Sequence, residues 1–342
     1  MIFVNKGEIM NCEKDLVLIA DRIKNHDKLN VNCTTLEYVE DEYFLPLYDT
    51  MQSIAKKFTY YASPKFFLEN ITKHKNSVVL SVWSGEKSRN RKALIPSICE
   101  AYNIPYVGAD PYLHIISADK HLSKNICKAY GIESSKDIII SNNNQFHLLS
   151  LLNYPVIIKP NFEGGSIGIF NNNVVYNPKE AEKVCLNLLM FFKQLIVEEY
   201  LPGEEVSICI AGINSKIDIF QIMAQQIGNK SYFTSEIFGA EIKKIDNSQR
   251  IIKPKNELLP QKEKEKLISL YNSFGKVEVI RIDGRIKDNH FKLIELTPDC
   301  SLNINGSISK AFKNSGYTYK KTIEYLVGNA IKSWEDQNAN ML

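Results

Sequence analysis

The chain has 342 residues, of which 44% are hydrophobic and 24% charged, with a formal net charge of +3. These are ordinary figures for a globular protein of about two to three domains. So small a charge argues against a dedicated nucleic-acid binder, whose basic face would be far larger. No apolar run approaches the roughly 20 residues of a membrane-spanning helix.

The start, Met1 to Lys6, lacks the basic segment and long apolar core of a secretion signal, so the cytoplasm is the expected compartment. Seven cysteines (Cys12, Cys33, Cys99, Cys127, Cys185, Cys209 and Cys300) are scattered without a Cys-x-x-Cys pair, and read as reduced, mostly buried thiols. The histidines show no metal-ligand spacing; His114 and His121 are expected on helix surfaces.

In chain order, Val78 to Trp83 reads as a parallel strand. The loop after it, Ser84 to Lys92, crowds Lys87, Arg89, Arg91 and Lys92. Two readings stand: a solvated cap on the helix Ala93 to Tyr102, or a carboxylate-binding loop at the C-terminal end of a strand, where open α/β sheets place their sites. Pro105 to Gly108 reads as the last strand of a first α/β unit, and Lys120 to Tyr130 as a helix.

The β-branched run Val156, Ile157, Ile158 reads as a buried strand delivering Lys159 to its end. Gly164, Gly165 and Gly168 follow, in a turn whose backbone N–H groups can face anionic oxygens. A lysine beside such a loop suits nucleotide phosphates, although the P-loop spacing is absent; an ordinary hairpin turn is the plain alternative. Gly228 to Arg250 is polar and turn-rich and reads as a mobile loop, and Gln261 to Lys266, alternating in sign, as a solvated helix face.

Val279 to Asp283 and Phe291 to Thr297 read as two alternating strands joined by a polar hairpin, Gly284 to His290. Their period puts Arg281, Asp283, Glu295 and Thr297 on matching faces. That set suits Mg²⁺ and phosphate, or else a solvated cross-strand ion pair. Two helices close the chain, Ser307 to Ser315, stopped by Gly316, and Thr318 to Trp334.

In this order, from about Ile104 to Val327, the blocks resemble the ATP-grasp enzymes, and among them D-alanine–D-alanine ligase and its relatives. Asp119-Lys120 with Lys124, Lys159 with Glu163 to Gly168, Val197 to Glu205, and Arg281, Asp283 and Glu295 carry the similarity. The resemblance implies an α/β protein with α+β lobes: an ATP-grasp fold behind an N-terminal α/β domain. Its units would be 1–110 (substrate domain), 111–195 (small lid) and 196–342 (large lobe).

It further implies an ADP-forming ligase in which ATP phosphorylates a carboxylate and an amine displaces phosphate from the acyl phosphate. Lys120 and Lys159 would hold phosphates beneath a loop of Glu163, Gly164, Gly165 and Ser166. Glu198, Glu199, Tyr200 and Leu201 would meet the adenine, and Glu205 the ribose. Asp283, Glu295 and Thr297 would ligate Mg²⁺, as two ions, with Mn²⁺ an alternative. Arg281 and Ser166 would act at the reacting phosphoryl group. The partners implied are small amino acids or peptides, without nucleic acid or membrane, and a homodimer is compatible.

The sequence also departs from this family. Glu295-Leu296-Thr297 stands for Glu-x-Asn, with Asp299 an alternative ligand; Cys300-Ser301 stands for Pro-Gly; Gly306 falls where a carboxylate-clamping serine is usual; and Gly165-Ser166 replaces Ser-Ser. Lys243 or Lys244 would supply the loop lysine. No counterpart of the family's substrate-ammonium glutamate stands between Met1 and Asn30. These changes fall on the amino-acid side, which favours a ligase with a different substrate pair. A nucleotide-binding module without turnover is the alternative of another class.

Overall fold

Three β-sheets organise the residues that the computed structural model describes: 14–22, 37–85, 88–213, 215–237 and 250–339. The first is parallel, in the order β2-β1-β3, from β1 (Asp15–Ile19), β2 (Phe58–Tyr61) and β3 (Ser77–Ser81). Its strands are apolar on both faces because both are covered. Val17, Ile19 and Val79 pack with Phe67 and Ile95 on one side, and Leu16, Leu18 and Leu80 with Phe44 and Leu47 on the other. The helices are α1 (Asp41–Ile54), α2 (Pro64–Glu69) and α3 (Leu94–Ala101). The strand expected at Pro105 to Gly108 is only a bridge, in which Val79 donates to the Pro105 carbonyl at 2.9 Å and Val107 to that of Val79 at 2.8 Å.

Aspartate caps start the next two helices, α4 (Pro111–Ala118) and α5 (Lys120–Ala129). Asp110 accepts the Leu113 N–H at 2.8 Å and Asp119 that of Leu122 at 3.0 Å, as N-caps do. Leu113 and Cys127 on these helices are buried with Leu293 and Leu296 of the large sheet. β4 (Glu133–Ser134) also pairs with that sheet. The helices expected to open the small lid therefore belong, by their packing, to the larger lobe, and the smaller sheet starts later.

That sheet runs β5-β8-β6-β7, from β5 (Asp137–Ile140), β6 (Val156–Pro160), β7 (Val174–Val175) and β8 (Leu195–Glu199), with α6 (Pro178–Leu189) packed on it. β8 is hydrogen-bonded on both sides, to β5 and β6. Glu198 thus sits in the smaller sheet, not in the large lobe expected from residue 196 onward.

The seven-stranded sheet contains β9 (Gly203–Ile213), β10 (Lys216–Ile227), β11 (Tyr232–Phe233), β12 (Arg250–Pro254), β13 (Val279–Lys287) and β14 (His290–Thr297). Its order is β12-β10-β9-β13-β14-β4, with β11 on β9. The β13–β14 connection is tighter than the expected hairpin: the strands continue to Lys287 and resume at His290. Asp288 and Asn289 make a two-residue turn at φ +51° and +63°, the left-handed pair that such turns require.

On one face lies α7 (Gln261–Ser273), burying Leu267 and Leu270. On the other lie α8 (Ser307–Asn314) and α9 (Tyr319–Ala339), burying Phe312, Ile323 and Leu326 in the cluster that also holds Leu16 and Leu80. One core therefore joins the N-terminal sheet to the large lobe. Trp334 of α9 packs edge-on to Tyr106, with ring centroids 5.8 Å apart. Among the described residues no helix is long and apolar enough to cross a membrane.

Candidate active site

The smaller and larger sheets enclose a cavity of about 130 Å³, and the end of β3 borders a second of about 320 Å³. Lys120, Glu163, Gly164, Arg281 and Glu295 line both. The first cavity gathers most of the residues singled out in the sequence: Lys120, Lys159, Glu163, Gly164, Ser166, Glu198, Glu199, Tyr200, Leu201, Glu205, Arg281, Asp283 and Glu295. Gly165 and Thr297 line the second. Lys243 and Lys244 lie outside the described residues.

Two lysines, Lys120 and Lys159, line this cavity, and a third, Lys124, is buried behind them against Glu198. Lys120 begins α5, and Lys124 follows one turn later on the same face. Lys159 ends β6, whose register with β8 sets Ile157 opposite Glu198 and so puts Lys159 diagonal to that carboxylate. Glu198 forms ion pairs with both Lys124 and Lys159. Burial lowers the Lys159 pKa well below the ordinary lysine value, with Lys124 and Lys120 adding their repulsion. Burial likewise takes Lys124 down to about 8 and lowers Lys120 against the pull of Glu295 and Glu163. Polyanion binding at such a wall is favoured because the anion restores what burial removes from the ammonium groups.

Beyond β8 the chain is held by Arg285. Its guanidinium donates to the Leu201 carbonyl at 2.6 Å, to the Glu236 carbonyl at 2.9 Å, to Glu205 at 2.9 Å and to the Tyr200 hydroxyl. The sequence reading missed Arg285 because it assigned 284–290 to a loop. The period-2 series Arg281, Asp283, Arg285 was the signal available.

Asp283 and Glu295 are directly opposed on β13 and β14, as are Arg281 and Thr297, which confirms the matched faces. Asp283 accepts from Arg281 at 2.7–2.9 Å, from Ser207 at 2.7 Å and from Thr297 at 3.3 Å. Among the described residues no three His, Cys, Asp or Glu side chains group as a complete metal site. Two facing carboxylates fit Mg²⁺ nonetheless, since that ion commonly takes one or two carboxylates and completes its shell with phosphate and water. Asp299 does not join them; it pairs with Lys92.

The loop above is left-handed at Gly165, Ser166 and Gly168 (φ +59°, +65° and +68°). For Ser166 this is an uncommon conformation of the kind found at functional sites. A Cβ at Gly164 or Gly165 would come within 2.5 or 2.6 Å of the Glu37 side chain. Glu37 is a second residue the sequence reading missed, since no motif surrounds it.

Glu37 also answers the question left open by the basic loop. Arg91 and Lys92 point inward, with side chains 4% and 20% exposed, and pair with Glu37 at 3.0 Å each. Arg89 is exposed, stacked 5.2 Å over Phe162, and has no carboxylate partner among the described residues; Lys87 lies outside them. Trp83 forms part of the same cavity's wall.

His114 contradicts its expected surface position. It is 7% exposed, lines the larger cavity, and has an Nδ1 without a hydrogen-bond partner among the described residues. Burial drives its pKa from 6.5 down to about 4. The folded protein therefore refuses a proton that the unfolded chain accepts, so stability is lost as pH falls from about 6.5 toward 4, by about 3 kcal/mol in all. Asp21, raised by burial to about 6, acts in the opposite sense over the same range. The expected result thus lies in the difference: relative to His114→Phe, the wild type should lose stability across that window in urea titrations, and parallel curves would refute it.

Burial pushes the Cys300 thiol up to about 12, which disfavours the thiolate form. Cys300 and Cys99, Cys127, Cys185 and Cys209 are buried and free.

A lysine-walled cleft between two sheets, covered by a glycine loop and floored by opposed carboxylates, defines an ATP-grasp enzyme, an ATP-dependent carboxylate–amine ligase. The family model described as "D-ala D-ala ligase C-terminus" matches residues 125–328, and the chain belongs to that family. It is 23% identical over 239 residues to D-alanine–D-alanine ligase A of Bacillus cereus, covering 68% of this chain and 74% of the relative. It is 28% identical over 251 residues to the D-alanine–D-alanine ligase of Helicobacter pylori, covering 72% and 67%.

Among solved structures, the D-alanine–D-alanine ligase of Bacillus anthracis complexed with ATP aligns with a TM-score of 0.71 at 17% identity, over 95% of this chain and 99% of that one. A D-Ala:D-Ser ligase of Enterococcus faecalis aligns at 0.65 and 16%, over 93% and 99%. The fold is shared throughout.

Proposed function

We propose that this ligase joins two small amino acids, or an amino acid and a peptide, through an acyl phosphate in the cytoplasm, with D-alanine–D-alanine ligation the nearest named activity. The observation that carries the reading is the convergence of Lys120 and Lys159, the latter paired with Glu198, with Asp283 and Glu295 in one cleft. Lys120 and Lys159 hold phosphates as point charges. The β8 end with Tyr200 and Leu201 receives the adenine, and Glu205, oriented by Arg285, the ribose. Asp283 and Glu295, with the Thr297 hydroxyl beside them, hold Mg²⁺. The ion's contribution would be to neutralise charge on the phosphoryl oxygens.

Arg281 faces the transferred group, and the glycine loop with Ser166 excludes water above it. The carboxylate and amine substrates occupy the larger cavity. There Arg89, without a carboxylate partner among the described residues, favours a second reading of the substrates, in which one partner is more anionic than alanine.

The test is ADP release from the purified protein with Mg²⁺-ATP, across D- and L-amino acids singly and in pairs, with products read by mass. Release with D-alanine and a dipeptide product supports the first substrate reading, and release with an acidic partner the second. ATP binding without release for any pair would refute both and favour a binding module.

A further inference from the structure

We propose that Arg91 is a positioning residue that holds the glycine loop closed over the nucleotide cavity from the amino-acid side. Its consequence for turnover rests on the ligase reading; its consequence for the loop does not. Arg91 stands just ahead of α3, where its Nε donates to the Ser84 carbonyl at 2.9 Å and so fixes the guanidinium against its own loop. The outer edge then spans two carboxylates: Nη2 donates to Glu37 at 3.0 Å and to Glu163 at 3.1 Å.

Glu163 opens the glycine loop, and its carbonyl accepts from Lys120 on the nucleotide side. The same residue is therefore gripped from both cavities, by its backbone on one side and its side chain on the other. Glycines make the approach possible. Side chains at Gly164 or Gly165 would strike Glu37, and a Cβ at Gly85 would come within 2.5 Å of the Arg91 Cβ.

A guanidinium buried this deeply must be compensated. With the loop open, Arg91 would keep only Ser84 and Glu37, and Lys92 competes for Glu37. Closure gives Arg91 a second carboxylate and so is favoured by the burial itself. Glu37, Arg91 and Lys92 also line the larger cavity. An amino acid entering there meets the groups that set the loop, so the affinities for nucleotide and amino acid are coupled, each changing the other by the same factor.

The test uses the full chain with Mg²⁺ and a non-hydrolysable ATP analogue. Hydrogen exchange is followed in Arg91→Gln, Glu163→Gln and the double variant. Amides 163–168 should exchange about tenfold faster in each single variant and no faster in the double, as one shared interaction requires, while β9 and β13 keep their protection. Should Arg91→Gln not fold, Glu163→Gln at the more exposed end of the pair must still release the loop.

Unchanged loop exchange in the single variants, or losses that multiply in the double, would overturn the assignment. With the pair of substrates active in the wild type, both variants should also release more ADP per amide formed, and a wild-type ratio would remove the role in turnover. Loop release in the variants of a protein that makes no amide would leave the latch standing and sink the ligase reading instead.

Discussion

Replacing Glu295 by glutamine should lower ADP formation by about three orders of magnitude if the proposed metal site is right, because it removes one of the two charges assigned to the metal while keeping the side chain's shape. Its nearest ion-pair contact in the structure is Lys120 at 3.9 Å, and its side chain is 29% exposed. The fold therefore loses little, and the thermal midpoint should stay within a few degrees of wild type. Asp283→Asn should be as inactive for the same reason but less stable. Asp283 accepts the bidentate Arg281 pair and two hydroxyls, and the asparagine amide cannot accept on both sides. Steady-state ADP release against Mg²⁺ concentration, beside thermal unfolding, separates the two. Wild-type turnover in Glu295→Gln would remove that carboxylate from the metal site.

Lys159→Met should weaken binding of a non-hydrolysable ATP analogue by about 10- to 100-fold, the usual worth of a charge-assisted contact. The methionine keeps an unbranched apolar side chain of similar length and removes only the ammonium. Glu198 retains Lys124 and Ser135 as partners, so the variant should fold. Calorimetric titration decides it: unchanged affinity would exclude Lys159 from phosphate binding.

The gathering of Lys159, Arg281, Asp283 and Glu295 in the smaller cavity was legible because its signals are local. A β-branched run ending in Lys159, three glycines in the next nine residues, and two alternating strands bearing Arg281, Asp283, Glu295 and Thr297 each declare themselves within one element. What was not legible depends on partners distant in the chain. Arg91 and Lys92 read as a basic loop until Glu37, 54 residues from Arg91, and Asp299 are folded against them.

His114 carries no mark of burial, since its helix is covered by packing rather than by its own pattern. Arg285 was lost to a boundary error of a few residues at the hairpin. The lobe boundaries moved for the same kind of reason: strand pairing, not composition, decides that β8 joins β5 and β6.

The chain contains two tryptophans, and the fold sends them to different surroundings. Trp83 stands in the wall of the larger cavity, whereas Trp334 is wedged against Tyr106 in the packing of the N-terminal sheet. The protein thus carries its own optical probe: one indole whose emission responds to whatever fills the cavity, and one that reports whether the domain beneath it is intact. With Trp334 replaced by phenylalanine, quenching of the remaining indole would let unlabelled candidate substrates be screened by fluorescence alone.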